Sequence, residues 1–121
     1  MKKILIVDDQ PQISKILNDI LIKSGYTTEM AFDGLVGVQK AKQIKPDIII
    51  MDVMMPVMSG FEACKQIKAD SSTSKIPIVF LTAKGQEDDE EEAIKLGATA
   101  FITKPFSPKS VLALIEKIIG K

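Results

Sequence analysis

The 121-residue chain has no arginine, no histidine and a single cysteine, Cys64. Each absence closes off chemistry. Without arginine there is no planar guanidinium fork to read guanine edges or clamp phosphate at two points, and all 16 cationic side chains are lysines. Without histidine there is no imidazole acid or base, no histidine metal ligand and no phosphohistidine on this chain. One cysteine cannot form an internal disulfide, and with no histidine beside it cannot build a zinc site. A reducing compartment is therefore expected. An excess of either charge is missing too: 16 lysines balance 16 acids, for a formal net charge of zero. The positive field that supports general nucleic-acid or membrane-surface binding is absent. No apolar run approaches the ~18 residues of a membrane helix. The apolar start Ile4-Leu5-Ile6-Val7 is cut off by Asp8-Asp9, too soon for a secretory core. These features predict a cytoplasmic protein with no direct nucleic-acid or membrane contact.

What is present is a regular alternation. The length suits one domain spanning 1–121, and 45% hydrophobic residues can fill its core. No linker, repeat or low-complexity tail interrupts it, and no output domain is expected. Ile4 to Val7 reads as a strand. Ile13, Ile16, Leu17, Ile20 and Leu21 follow at the spacing of an amphipathic helix, with Pro11 in its first turn and Gly25 at its end. Thr27 to Ala31, more polar, suits an edge strand, and Asp33 can cap a second helix. Asp47 to Asp52 is the most apolar run, the mark of a strand covered on both faces. Ser59 and Glu62 have capping-box spacing before a third helix. Ile78 to Leu81 is a fourth strand, Glu87 to Leu96 a helix stopped by Gly97, and Ala100 to Thr103 a fifth strand. Ser107-Pro108 starts a last helix with the stripe Val111, Leu112, Ile115, Ile118 and Ile119. Five such βα units predict an α/β fold with a parallel sheet between two helix layers.

In sheets of this kind ligands bind beyond the carboxyl ends of the strands. The residues there are Asp8-Asp9, Asp52, Thr82 and Lys104-Pro105. Three gathered carboxylates repel one another, so at least one must be protonated or a cation must be present, and a divalent metal resolves this. With oxygen donors only, a hard divalent ion is favoured, and few carboxylates suit Mg²⁺. Lys104 adds a positive charge and Thr82 a hydroxyl donor, both suited to a phosphoryl group. Asp52, ending the central buried strand, is the best-placed nucleophile; Asp8 and Asp9 are better placed as metal ligands.

With these residues in place the chain resembles the receiver domains of bacterial two-component response regulators, the chemotaxis-regulator-like family. The likeness covers residues 2–119. It rests on Ile-Leu-Ile-Val-Asp8-Asp9, on Ile-Ile-Ile-Met-Asp52-Val-Met-Met-Pro56-Val-Met-Ser-Gly60, on Phe-Leu-Thr82-Ala83, and on Phe101-Ile-Thr-Lys104-Pro105-Phe106. Each motif alone is weak; their order, one at each strand end, is specific. The resemblance implies a flavodoxin-like, doubly wound (βα)5 sheet of five parallel strands in the order 2-1-3-4-5. It implies phosphorylation of Asp52 by a partner histidine kinase or phosphotransfer protein. Mg²⁺ would bind Asp8 or Asp9, Asp52 and the backbone carbonyl of Met54. Thr82 would hydrogen-bond the phosphoryl group, Lys104 would pair with it, and Phe101 would be a rotameric switch. The Lys104–Pro105 bond would be cis, aiming Lys104 into the site. The fourth helix, fifth strand and fifth helix would form the surface that acts on a downstream protein, in a monomer or in a dimer formed on phosphorylation.

Other readings compete. A Mg²⁺-dependent phosphatase with an aspartyl-phosphate intermediate would need a second acid two residues after the nucleophile, where Met54 stands. The same motifs would also suit a receiver cut from a longer transcriptional regulator, or a pseudo-receiver that binds partners without phosphorylation. The receiver reading makes the chain no enzyme beyond its self-catalysed transfer and slow autodephosphorylation. Met54 and Lys84 occupy the positions that flank the hydrolytic water's path in the family. Methionine cannot orient water, so slow loss of the phosphoryl group is expected. The acidic run 87–92 is expected to favour its helix's positive end, Cys64 to be core packing, and Met54, Met55 and Met58 to cover the sheet edge. Ser59 stands where many relatives carry aspartate, and either residue caps a helix.

Overall fold

A computed structural model of the chain describes residues 1–83 and 87–120. Strands and helices alternate as β1 (Lys3–Val7), α1 (Pro11–Lys23), β2 (Thr27–Ala31), α2 (Gly34–Ile44), β3 (Ile48–Asp52), α3 (Gly60–Ala69), β4 (Ile78–Ala83), α4 (Glu87–Lys95), β5 (Ala100–Lys104) and α5 (Pro108–Ile119). The strands form one parallel sheet in the order β2-β1-β3-β4-β5. This is the expected flavodoxin-like arrangement. Short β-branched runs bounded by acids and turn residues supply the strands, and β3 is buried along its whole length. The order turns back on itself between β1 and β3, which opens a crevice at their carboxyl ends.

Period-two alternation divides the core. Leu5, Val7, Ile49, Met51, Ile78 and Phe80 face one way, packing against Val38 and Ala41 of α2, Cys64 and Ile67 of α3, and Ala93 of α4. Ile4, Ile6, Ile48, Ile50, Val79 and Leu81 face the other way, against Leu17 and Leu21 of α1 and Val111 and Ile115 of α5. Cys64 is fully buried, as expected of core.

The caps explain where helices start. Asp33 Oδ1 accepts from Val36 N–H at 2.9 Å, Ser59 Oγ from Glu62 N–H at 3.2 Å and Ser107 Oγ from Ser110 N–H at 3.1 Å. Gly25 and Gly97, at φ +95° and +90°, follow the ends of α1 and α4 in a conformation that favours glycine.

Two expectations need correction. Ile16, placed on the buried stripe of α1, is 49% exposed. The buried line runs instead through Ser14, Leu17 and Leu21, because Ser14 donates from Oγ to the Asp8 carbonyl at 3.3 Å and so can enter the interior satisfied. The fourth and fifth strands are also longer than their apolar runs. Thr82 pairs with Thr103 and Ala83 with Lys104, so the ladder carries Thr82 and Lys104 within the sheet rather than beyond it.

Candidate functional site

The carboxyl ends of β1, β3, β4 and β5 meet in a cleft of about 430 Å³ whose walls include Asp9, Asp52, Met54, Thr82, Asp89 and Lys104. Register places Val7 beside Met51, Asp52 beside Leu81, and Ala83 beside Lys104, so the sheet alone sets the lateral positions. The loop after β3 is held by Gly60, whose N–H donates to the Val53 carbonyl at 2.9 Å. A Cβ on Gly60 would overlap the carbonyl oxygen of Asp52 and crowd Phe80. The start of α3 can therefore lie directly under the site only with glycine there. Phe61 packs edge-on against Phe80 with centroids 5.3 Å apart, fixing the same turn from the core side.

Carboxylate oxygens of Asp8, Asp9 and Asp52 lie within 4.8 Å of one another. Asp8 is fully buried. Its Oδ1 accepts from Gln10 N–H at 2.9 Å, but its Oδ2 has no hydrogen-bond partner. Lys104 Nζ stands 3.5 Å from Asp52 Oδ2 and 3.7 Å from Asp8 Oδ2, close enough for charge attraction, and donates to Gln10 Oε1 at 3.4 Å. Thr82 Oγ1 is buried and, like Asp8 Oδ2, unpaired; among the described residues no other buried side-chain polar atom is so.

The charges are strained by their surroundings. Burial, then the negative charge of Asp8, pushes the Asp52 carboxyl up from 3.8 to about 6, against the opposing pull of Lys104. Burial likewise raises Asp8, partly offset by the Gln10 N–H and by Lys104. Among the described residues one ammonium faces these three acids and does not neutralise them. The oxygen-only donor set, the crowding of carboxylates and the orphaned Asp8 Oδ2 together fit a hard divalent cation.

Every residue singled out at the strand ends lies in or beside this cleft. Met54 lines it and is 75% exposed. That corrects its expected role in covering the sheet edge: Met55 and Met58 pack against the core, whereas Met54 stays exposed to solvent. The Lys104–Pro105 peptide is cis. Phe101 pairs with Phe80 across the ladder and is half-buried against the α2–α3–α4 core. Lys84 lies outside the described residues. Two cleft residues escape a reading of the sequence. Gln10 touches both Asp8 and Lys104, and Asp89 enters from α4; the latter is hidden among six consecutive acids.

The fold and the cleft thus define a flavodoxin-like α/β domain with an acidic, cation-suited crevice at its switch point. Comparison with known proteins narrows this. The family model described as the response regulator receiver domain matches residues 4–116, and the chain belongs to that family, the receiver of two-component signalling. It is 43% identical over 120 residues to the alkaline phosphatase synthesis transcriptional regulatory protein PhoP of Bacillus subtilis, covering 99% of this chain and 49% of that protein. It is 39% identical over 120 residues to protein PilH of Pseudomonas aeruginosa, covering 99% of each. The structure matches chemotaxis protein CheY4 of Vibrio cholerae with a TM-score of 0.91 at 36% identity over 98% of both chains. It matches the receiver domain of a Pseudomonas aeruginosa sensor histidine kinase, with a magnesium ion coordinated in its active site cleft, at a TM-score of 0.91 and 29% identity over 99% of this chain and 98% of that one. The chain spans about half the length of the transcriptional regulators it matches. Because such relatives are transcriptional regulators, they lend no support to the expected lack of nucleic-acid contact. No helix among the described residues is long and apolar enough to cross a membrane.

Proposed function

We propose that Asp52 accepts a phosphoryl group from a phosphohistidine on a separate protein, a sensor histidine kinase or a phosphotransfer protein, and that the modified site changes the surface formed by α4, β5 and α5 for a downstream protein. One observation carries this reading: Asp52, 8% exposed at the end of the central strand, faces Lys104 at 3.5 Å beside the two orphaned polar atoms Asp8 Oδ2 and Thr82 Oγ1. Asp8, Asp9, Asp52 and the Met54 carbonyl are the groups that would hold Mg²⁺, which when bound supplies neutralising charge to phosphoryl oxygens.

The chain's own residues account for the rest. Asp52 presents its carboxylate from a rigid strand; its oxygen bonds to phosphorus as the phosphorus–nitrogen bond of the donor breaks, and the imidazole leaves with the electron pair. Thr82 then donates its unpaired hydroxyl to a phosphoryl oxygen, and Lys104 pairs with the new charge. Thr82's shift opens space on the core face of β4 that Phe101, half-buried beside it, turns to fill. This local change biases a two-state surface. On this reading the protein is cytoplasmic and acts as a monomer, or as a dimer once phosphorylated. It turns over no separate substrate: the phosphatase alternative lacks its second acid, since Met54 is apolar and exposed. The half-length coverage of PhoP favours a second reading of its setting, as the receiver portion of a longer transcriptional regulator.

The test is labelling by acetyl phosphate with Mg²⁺, followed by intact mass. Wild type should gain one phosphoryl group and Asp52→Asn none. Equal labelling of the variant would sink the proposal.

A further inference from the structure

We infer that Asp89 selects among phosphodonors: its carboxylate, on the α4 wall of the cleft, disfavours small dianionic donors relative to phosphohistidine carried by a protein. This rests on the assignment of Asp52 as phosphoryl acceptor. Asp89 lines the same cleft as Asp52, Thr82 and Lys104. Of the six acids of that run Asp89, Glu90 and Glu92 are half-buried, and of these Asp89 alone lines the cleft. Among the described residues no hydrogen bond or ion pair holds it. Among the described residues the one ammonium that lines the cleft, Lys104, is already shared between Asp8 and Asp52. No ammonium among the described residues thus compensates the negative charge of Asp89, and a charge on the wall of a cleft lowers the local concentration of anionic ligands.

A free donor must cross that field with its own charge. Acetyl phosphate does so as a dianion; phosphoramidate does so as a monoanion. In the first case the Asp52 oxygen bonds to phosphorus as acetate leaves with the electron pair; in the second, ammonia leaves with it. A protein-borne phosphohistidine is drawn in by its contact surface, so the same repulsion weighs little on its transfer.

The experiment measures initial labelling rates of the whole chain with Mg²⁺ at low ionic strength. Asp89→Asn should be labelled by acetyl phosphate about three- to fivefold faster than wild type, the effect of one charge across a solvated gap. The gain should be smaller with phosphoramidate and vanish in 1 M salt, where the screening length is about 3 Å. Asp89→Glu should keep the wild-type rate, which a merely structural role would not require. The inference is overturned if Asp89→Asn matches wild type, if both donors gain equally, or if labelling is unchanged while loss of the phosphoryl group slows. That last result would assign Asp89 to the hydrolytic water. Labelled wild type with unlabelled Asp52→Asn and an inert Asp89→Asn defeats this inference alone; unlabelled wild type defeats both.

Discussion

At the corner between α3 and β4, Thr73 is fully buried and donates from Oγ1 to the Ile67 carbonyl at 2.7 Å. Around it Lys68 Nζ donates to the carbonyls of Ser74 at 3.2 Å and Ile76 at 2.9 Å, and Asp70 accepts from Ser72 N–H at 2.8 Å. At the carboxyl edge of the sheet, Thr82 is 1% exposed and its Oγ1 has no partner at all. Residue type and burial are the same, yet one hydroxyl is used and the other is idle. A buried unpaired hydroxyl costs about 1–3 kcal/mol. The corner avoids that cost and the cleft tolerates it, together with the orphaned Asp8 Oδ2. Unpaired atoms confined to one place mark groups poised for something that arrives, while paired ones mark scaffold.

The comparison would break first at Asp52. Its carboxyl rises from 3.8 to about 6, chiefly by burial. Between those values the folded state keeps a proton that the unfolded chain has released. Its contribution to stability is therefore full below the unfolded value of 3.8 and is lost as pH rises through about 6. At 1.36 kcal/mol per unit the loss is at most about 3 kcal/mol. Asp52→Asn should accordingly be more stable than wild type at pH 7 without Mg²⁺, by up to that amount, and the gap should close as pH falls. Urea midpoints from pH 3.5 to 8 check this. Parallel profiles for the two proteins would mean that the cleft holds no such stored repulsion.

A paired substitution sharpens the contrast directly. Thr73→Val should lose about 1–3 kcal/mol, since it strands the Ile67 carbonyl in the interior. Thr82→Val, removing a buried hydroxyl that bonds to nothing, should be stabilising by up to about 1–3 kcal/mol, while weakening the response to beryllofluoride, a phosphoryl mimic. Equal losses in urea unfolding would erase the distinction between corner and cleft.

How much of this is legible in the sequence follows from where each signal lives. The strands are legible because β1, β3 and β4 are buried on both faces and so read as unbroken apolar runs. The site acids are legible because each sits where such a run stops. Ile16 misleads because periodicity assigns a face by hydrophobicity, whereas Ser14 takes the buried place through a hydrogen bond that no spacing reveals. The extent of β4 is hidden because Thr82 and Ala83 are neither apolar enough nor β-branched enough together to extend the run. Asp89 is invisible for a different reason. Six adjacent acids look alike in sequence, and only the rotation of α4 against the cleft distinguishes one of them.

Val57 offers the smallest test, and it bears on the same contrast. The chain has two described non-glycine residues with positive φ: Lys45 at 46° and Val57 at 69°. Lys45 caps α2, where its N–H donates to the Ala41 carbonyl at 3.0 Å, so a helix end repays its conformation. Val57 is β-branched, 77% exposed and set in the loop that leads away from Asp52. A β-branched residue there is disfavoured by about 1–2 kcal/mol, and no burial of its side chain offsets this. Asparagine tolerates the left-handed region without glycine's added freedom in the unfolded chain. Val57→Asn should therefore gain about 0.5–1 kcal/mol, read as a higher urea midpoint at unchanged slope. Lys45→Asn, where the helix end already accommodates the backbone, should gain less. If Val57→Asn gains nothing, the loop beside the site is relaxed, and the tension in this region is confined to its unpaired polar atoms and crowded charges.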